Sequence, residues 1–233
     1  SFGADFLGTW ISPVEFTAGY RSGRTLVGTP PKFSHHTQVE SRLSLTGSNA
    51  DERIAVSPAE LKRCAGRLAA LIAGKAGRAT PMSAKLAGTM EDKIVALADR
   101  LWESQGRSLV VCGSNDLQLQ LLTNTINHQL DNYNHTLTVD QPSYQVREDD
   151  AALQVLTDEI RAGKVSALFV AGGNPAYDLP EGEKLLASIK KIPLVVSCAE
   201  RLDETAVGAR FVCPQPHFLE AWSDAETVAG VAS

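Results

Sequence analysis

Three short apolar runs, Ser108–Cys112 (SLVVC), Val165–Val170 (VSALFV) and Pro193–Ser197 (PLVVS), alternate with longer stretches in which apolar residues recur every three or four positions. Short runs rich in Val and Leu read as strands buried on both faces. The stretches between them predict helices. One covers Met90–Ser104 through Ile94, Leu97, Ala98 and Leu101, and one covers Asp116–Asp131 through Leu117, Leu121, Leu122, Ile126 and Leu130. Two more follow over Asp149–Ala162 and Glu181–Lys190, with a loop over 136–147 between the second and third. Strands alternating with helices in this way predict an α/β fold of three layers with mostly parallel sheets, the strands at 108–112, 165–170 and 193–197 lying together.

Ahead of this pattern, Ser57-Pro58-Ala59-Glu60 opens a further helix. Ser57 suits the N-cap, Pro58 the first helical position, and Glu60 completes a capping box. Leu61, Cys64, Ala65, Leu68 and Ile72 give its apolar face, and Gly74 ends it. Residues 74–89 lose the periodicity and gather Gly, Ala, Thr and Pro, so the domain boundary is expected between 75 and 90, dividing the chain into 1–80 and 81–233. Residues 1–73 otherwise offer a strand end at Ser1–Asp5, a strand near Gln38–Glu40 and an extended run at Arg53–Val56. Such a set is expected of a piece cut from a longer polypeptide, because a parallel strand needs neighbours.

Composition removes several function classes. The 233 residues carry 22 Lys and Arg against 27 Asp and Glu, a net charge of −5 with no basic block, which argues against nucleic acid or an anionic membrane as partner. The longest apolar stretches, such as Leu68–Ala73, are far below the roughly 20 residues of a membrane span. Cys64, Cys112, Cys198 and Cys213 form no Cys-x-x-Cys pair and are expected to be buried small hydrophobes. No Gly-x-Ser-x-Gly, Gly-x-Gly-x-x-Gly or Walker motif occurs, so no nucleophile, base or metal ligand is assignable.

One pattern points further. Residues 40–50 (ESRLSLTGSNA) and 199–209 (AERLDETAVGA) match at Arg42/Arg201, Leu43/Leu202, Thr46/Thr205 and Ala50/Ala209. Each copy is preceded by a loop at a strand end, Gly3-Ala4-Asp5 in one case and Gly173-Asn174-Pro175 in the other. The expectation is two related Rossmann-like units whose ligand-binding loops lie at the carboxyl ends of parallel strands.

The segments SFGADFLGTWISPVEF, QVESRLSLTGSNADERIAVSP, GGNPAYDLP, RLDETAVGARFVCP and PHFLEAWSDAE, in this order, resemble the molybdopterin oxidoreductase family. The likeness is greatest to the large iron–sulfur/molybdopterin-type subunit of alternative complex III and related quinone-reductase complexes. The resemblance implies that residues 1–80 end one pterin-dinucleotide-type domain and 81–233 supply a second. It implies electron transport in a respiratory complex, on the periplasmic (extracytoplasmic) side. The partners would be other subunits and the iron–sulfur remainder of the same polypeptide, with no nucleic acid and no direct membrane span. Molybdopterin guanine dinucleotide with Mo or W would be the parent's cofactor. Its loops would correspond to Gly3, Ala4, Asp5 and Phe6, to Glu40, Ser41 and Arg42, to Gly172, Gly173 and Asn174, and to Asp203, Glu204 and Thr205, with Glu220 near the end.

Departures from the family pattern accompany the likeness. Asp5 puts a carboxylate where the family has an amide, and Ser57–Glu60 replaces a Pro-Gly-Thr-Asp run. A carboxylate repels a pyrophosphate. Two readings follow: a cofactor-free scaffold, for which this chain carries no cofactor, or the pterin-binding part of an active oxidoreductase. On the scaffold reading Asp5 should be solvated or paired with Arg42 or Arg201. The loop residues also admit plain structural roles. Gly172–Pro175 and Gly113–Asp116 suit strand-to-helix turns, and Arg42 and Arg201 could pair with Glu40, Glu200 or Glu204 instead of a phosphate. The aromatic stretch Phe6, Trp10, Phe16 and Tyr20 suits packing or an interface.

Overall fold

The computed structural model describes residues 1–26, 28, 33–79, 83–145 and 149–232. Residues 80–82 of the expected linker, and 146–147 of the expected loop, lie outside them. The chain forms two compact units, one of residues 1–145 with 228–230 and one of 146–227 with 231–233.

The first unit contains α1 (Pro13–Ser22), β1 (Thr37–Glu40), α2 (Leu45–Ser48), β2 (Glu52–Ala55), α3 (Pro58–Lys75), α4 (Thr89–Glu103) and α5 (Leu117–Gln129). Ser57 and Glu60 make both bonds of the capping box at the start of α3, and Asp116 caps α5 through the Leu119 N–H. Strands β1 and β2 pair in parallel, from Thr37↔Glu52 to Glu40↔Ala55. Phe2 bridges Val39 on one side and Cys112 on the other, both in parallel. Leu68 and Ile72 of α3, Ile94 and Ala98 of α4, Ile126 of α5 and Leu130 just past its end share one core with Phe2, Val39 and Ile54. The stretch 74–89, read from composition as the boundary, therefore connects two helices of that core rather than two domains.

The run 108–112 differs from its expected form. Only Cys112 pairs with a neighbouring strand. The Val110 N–H donates to Asn127 Oδ1 and the Val110 carbonyl accepts from Asn127 Nδ2. One buried amide side chain thus stands in for the missing neighbour strand. Gly113 then approaches residues 3 and 4 so closely that a Cβ would lie 2.7 Å from Ala4 Cα and from the Gly3 carbonyl oxygen.

The second unit contains α6 (Asp150–Arg161), β3 (Ala167–Val170), α7 (Pro175–Asp178), α8 (Gly182–Ile189), β4 (Leu194–Ser197), a 3-10 turn at Ala206–Gly208 and β5 (Phe211–Val212). The sheet order is β3-β4-β5, all parallel. The run 108–112 belongs to the other unit, so the three expected strands do not share a sheet. Ile160, Leu185, Ile189 and Ile192 cover one face of this sheet through Val195 and Leu168. The opposite face leaves Phe169 67% and Phe211 51% exposed. Two short strands, β6 (Glu226–Val228) and β7 (Val231–Ala232), close the described chain. The architecture is mixed helix and strand with small parallel sheets, in keeping with an α/β class.

Candidate functional site

The thirteen loop residues fall into two groups, one in each unit, and each group follows the carboxyl ends of parallel strands. In the first unit Gly3, at φ +65°, turns the chain out of the sheet. Ala4 is fully buried. Asp5 Oδ1 then accepts from the Thr46 N–H at 3.0 Å and from the Thr46 hydroxyl at 2.9 Å. The hydroxyl of Thr46 in turn accepts from the Leu7 N–H at 2.9 Å. Burial pushes the Asp5 carboxyl up, but the Thr46 and Thr9 bonds, with the field of Arg42, outweigh it and leave it below the usual aspartate value.

The second unit repeats this arrangement atom for atom. Asn174 Oδ1 accepts from the Thr205 N–H at 3.2 Å and from its hydroxyl at 2.6 Å. The Thr205 hydroxyl accepts from the Ala176 N–H at 3.0 Å. Leu7 and Ala176 each stand two residues after the Asp or Asn, so the loops match in spacing as well as bonding. The helical turns beside them also match: Ser44 Oγ accepts from Gly47 N–H, and Asp203 Oδ1 accepts from Ala206 N–H. Ser44 and Asp203 stand at the same offset as Thr46 and Thr205. The Thr205 side chain and that of Thr46 are fully buried.

Glu40, only 3% exposed, sits at the end of β1. Its carboxylate accepts from Arg53 Nε at 2.6 Å, the Ser44 hydroxyl at 2.6 Å, the Ser44 N–H at 3.2 Å and Gln38 Nε2 at 3.2 Å. Burial raises its pKa, and these four bonds outweigh that and hold it below the ordinary glutamate value. Gly47 leaves room for this carboxylate, since a Cβ there would lie 1.9 Å from Glu40 Oε1.

The arginines are placed differently from the sequence expectation. Glu40 pairs with Arg53, not Arg42. Arg42 and Arg201 are exposed, like Ser41, and hold no ion pair among the described residues. Asp5 is bound by threonine rather than arginine, because Thr46 offers it a backbone and a side-chain donor at once. Glu204 accepts from Asn174 Nδ2 at 2.6 Å. Gly172, at φ +71°, and Gly173 are exposed.

Phe6 stacks beyond the clasp on a cluster that joins Tyr20, of the same aromatic stretch, to His36, Arg24 and Asp51. Its ring lies 5.7 Å from Tyr20 and 5.3 Å from His36. Asp51 accepts two bonds from Arg24 and one from the His36 N–H. The Arg24 bonds hold its carboxyl far below the usual range, against the opposing effect of burial. Burial lowers the His36 pKa to about 4, so this imidazole is neutral at pH 7. The signal for it was the pair His35-His36 just ahead of β1, whose spacing says nothing of Tyr20 or Arg24.

Chemically, the two loop groups present oxygens that accept from their own backbone N–H groups. Among the described residues no three His, Cys, Asp or Glu side chains converge as a metal centre would require, and no helix is long and apolar enough to cross a membrane. A scan against protein-family models finds none that matches the chain, and a search among curated proteins finds no match either.

Proposed function

We propose that the chain is part of a molybdopterin-oxidoreductase-like respiratory subunit and acts as a cofactor-free scaffold in a quinol-oxidising electron-transfer complex. On this reading its two units are related, three-layered Rossmann-like domains. Their strand-end loops hold the fold together and meet other subunits on the extracytoplasmic face. The repeated Asp5–Thr46 and Asn174–Thr205 clasp supports the kinship of the units.

The observation that carries the scaffold reading is the direction of the loop donors. A pyrophosphate is held by backbone N–H groups at such loops. Here the N–H groups of Leu7, Thr46 and Gly47, and of Ala176, Thr205 and Ala206, donate to side chains of the chain itself. In the first unit two carboxylates, Asp5 and Glu40, add negative charge where a diphosphate would lie. These residues do not fit a pyrophosphate.

A second reading, a pterin-dinucleotide site in an active oxidoreductase, is favoured by Gly172 and Gly173, whose exposed backbone could still meet a phosphate. The polypeptide as the cell makes it decides between them. It is purified, oxidised and extracted, and assayed for fluorescent pterin and for molybdenum and tungsten. The scaffold reading expects neither in stoichiometric amount; stoichiometric pterin with metal overturns it in favour of the second.

A further inference from the structure

Composition predicts four buried thiols, and the structure buries two. Cys64 and Cys112 lie in the core of the first unit, where burial pushes both thiols up. Cys198 is half-buried and Cys213 exposed. They directly follow the last residues of β4 and β5, which pair as Val196↔Phe211 and Ser197↔Val212. Just past that ladder the Cys213 N–H still donates to the Ser197 carbonyl at 2.8 Å, whereas the next bond, from the Gln215 N–H to the Cys198 carbonyl at 3.3 Å, falls one residue short of Ala199 and marks where the register slips. The register therefore continues one step and sets Cys198 beside Cys213, although 14 residues of loop and strand separate them in sequence.

Neighbouring strands lie about 4.8 Å apart, within the Cα separation of about 4.4–6.8 Å that a disulfide bridges. Side chains alternate across a strand, so residues 196 and 198 share one face, as do 211 and 213. Val195 and Ser197 are 2% and 1% exposed, pointing to the covered face. Cys198 and Cys213 consequently stand on the open face, in line with Phe211, where a small reagent has access.

We propose that Cys198 and Cys213 form a thiol pair that closes reversibly to a disulfide by exchange with a low-molecular-weight disulfide. The Cys213 thiolate attacks one sulfur of that reagent, breaking its S–S bond and releasing one small thiol. The Cys198 thiolate then attacks Cys213 Sγ in the mixed disulfide and expels the second small thiol. The two protons given up by the cysteines end on the two released thiols. The pair is oxidised by two electrons and the reagent is reduced by two. The new bond ties together the ends of the segment that carries Asp203, Glu204 and Thr205, so the state of the thiols bears directly on the Asn174–Thr205 clasp.

The test treats the full chain with oxidised glutathione, then reads intact mass and proteolytic peptides. A loss of two hydrogens is expected, with a peptide joining Cys198 to Cys213, reversed by dithiothreitol. Native alkylation should label Cys198 and Cys213 before oxidation and neither afterwards. Cys213→Ser should accumulate a glutathione adduct on Cys198 and form no internal bond. Wild-type protein that carries separate glutathione adducts on both residues, links only between molecules, or does not react would overturn the proposal.

Discussion

Asp5 and Thr46 share a three-bond clasp, in which one carboxylate oxygen takes both donors of the threonine while the threonine hydroxyl takes the N–H of Leu7. Asn174 and Thr205 reproduce it with an amide oxygen. A hydroxyl residue is needed, because only a backbone N–H and a hydroxyl on the same residue can reach one acceptor while that hydroxyl accepts a third bond.

Thr46→Val should therefore leave the Leu7 N–H without its acceptor and strip one bond from Asp5. The expected cost is about 1–3 kcal/mol, read as a lower urea midpoint, with Thr46→Ser recovering most of it. Thr205→Val should do the same to the second unit. A valine variant as stable as wild type at either position would show that the threonine hydroxyl contributes nothing.

Asp5→Asn copies the chemistry of the second unit into the first and should be tolerated at pH 7 to within about 1 kcal/mol. The acid response should differ. The Asp5 carboxyl lies below its ordinary value of 3.8 in the fold. Its stabilising effect is therefore full above that pH and is lost as pH falls through the lower folded value. Any stability advantage of wild type over the variant should shrink below pH 3.8, in denaturant melts run from pH 6 to pH 2.

His36 should act in a higher window. Burial lowers its pKa from 6.5 to about 4, so the unfolded chain takes up a proton between those values and the folded chain does not. Stability should fall as pH drops from 6.5 to 4, by about 2 kcal/mol. His36→Gln should flatten that slope; an unchanged slope would assign the effect elsewhere.

Two glycines should respond oppositely to alanine. At Gly113 the new methyl meets the backbone of residues 3 and 4, which has no freedom to move aside, and a loss of about 3 kcal/mol is expected. At Gly66, inside α3, a Cβ meets nothing within 4 Å. Gly66→Ala should raise stability by about 0.5–1 kcal/mol. Thermal melts of the two variants check both signs.

The sequence announces much of this fold because its helices carry strong local signals. The capping box at Ser57, the cap at Asp116 and the apolar periodicity of α3 to α5 all lie where the residues place them. The helices α2 and α7 do not show, since four residues hold too little periodicity to read, and α1 does not because none of its ten residues is buried. The run 108–112 reads as a strand, yet the amide of Asn127 satisfies Val110 from a helix, a long-range substitution that no local pattern records. The clasp was half legible. The match of Thr46 to Thr205 stood in the repeat, but the arginines of the same repeat proved to be exposed, and Arg53 took the glutamate. Identity between two segments marks shared backbone geometry more dependably than shared charge pairing.

The position of Phe2 between Val39 and Cys112 has a kinetic consequence. Its N–H donates to Val111 and its carbonyl accepts from Gly113, so the central run of this sheet is satisfied by residues more than half the unit away. Such contacts close large loops, and folding slows as the mean sequence separation of contacts grows. β1 and β2 can meet early, across a short connection, while Phe2 gains its second neighbour only when the distant segment arrives. Sheet completion should then be the late, rate-limiting event of the first unit, and a chain shortened before Ser108 would lose α5 together with the second neighbour of Phe2.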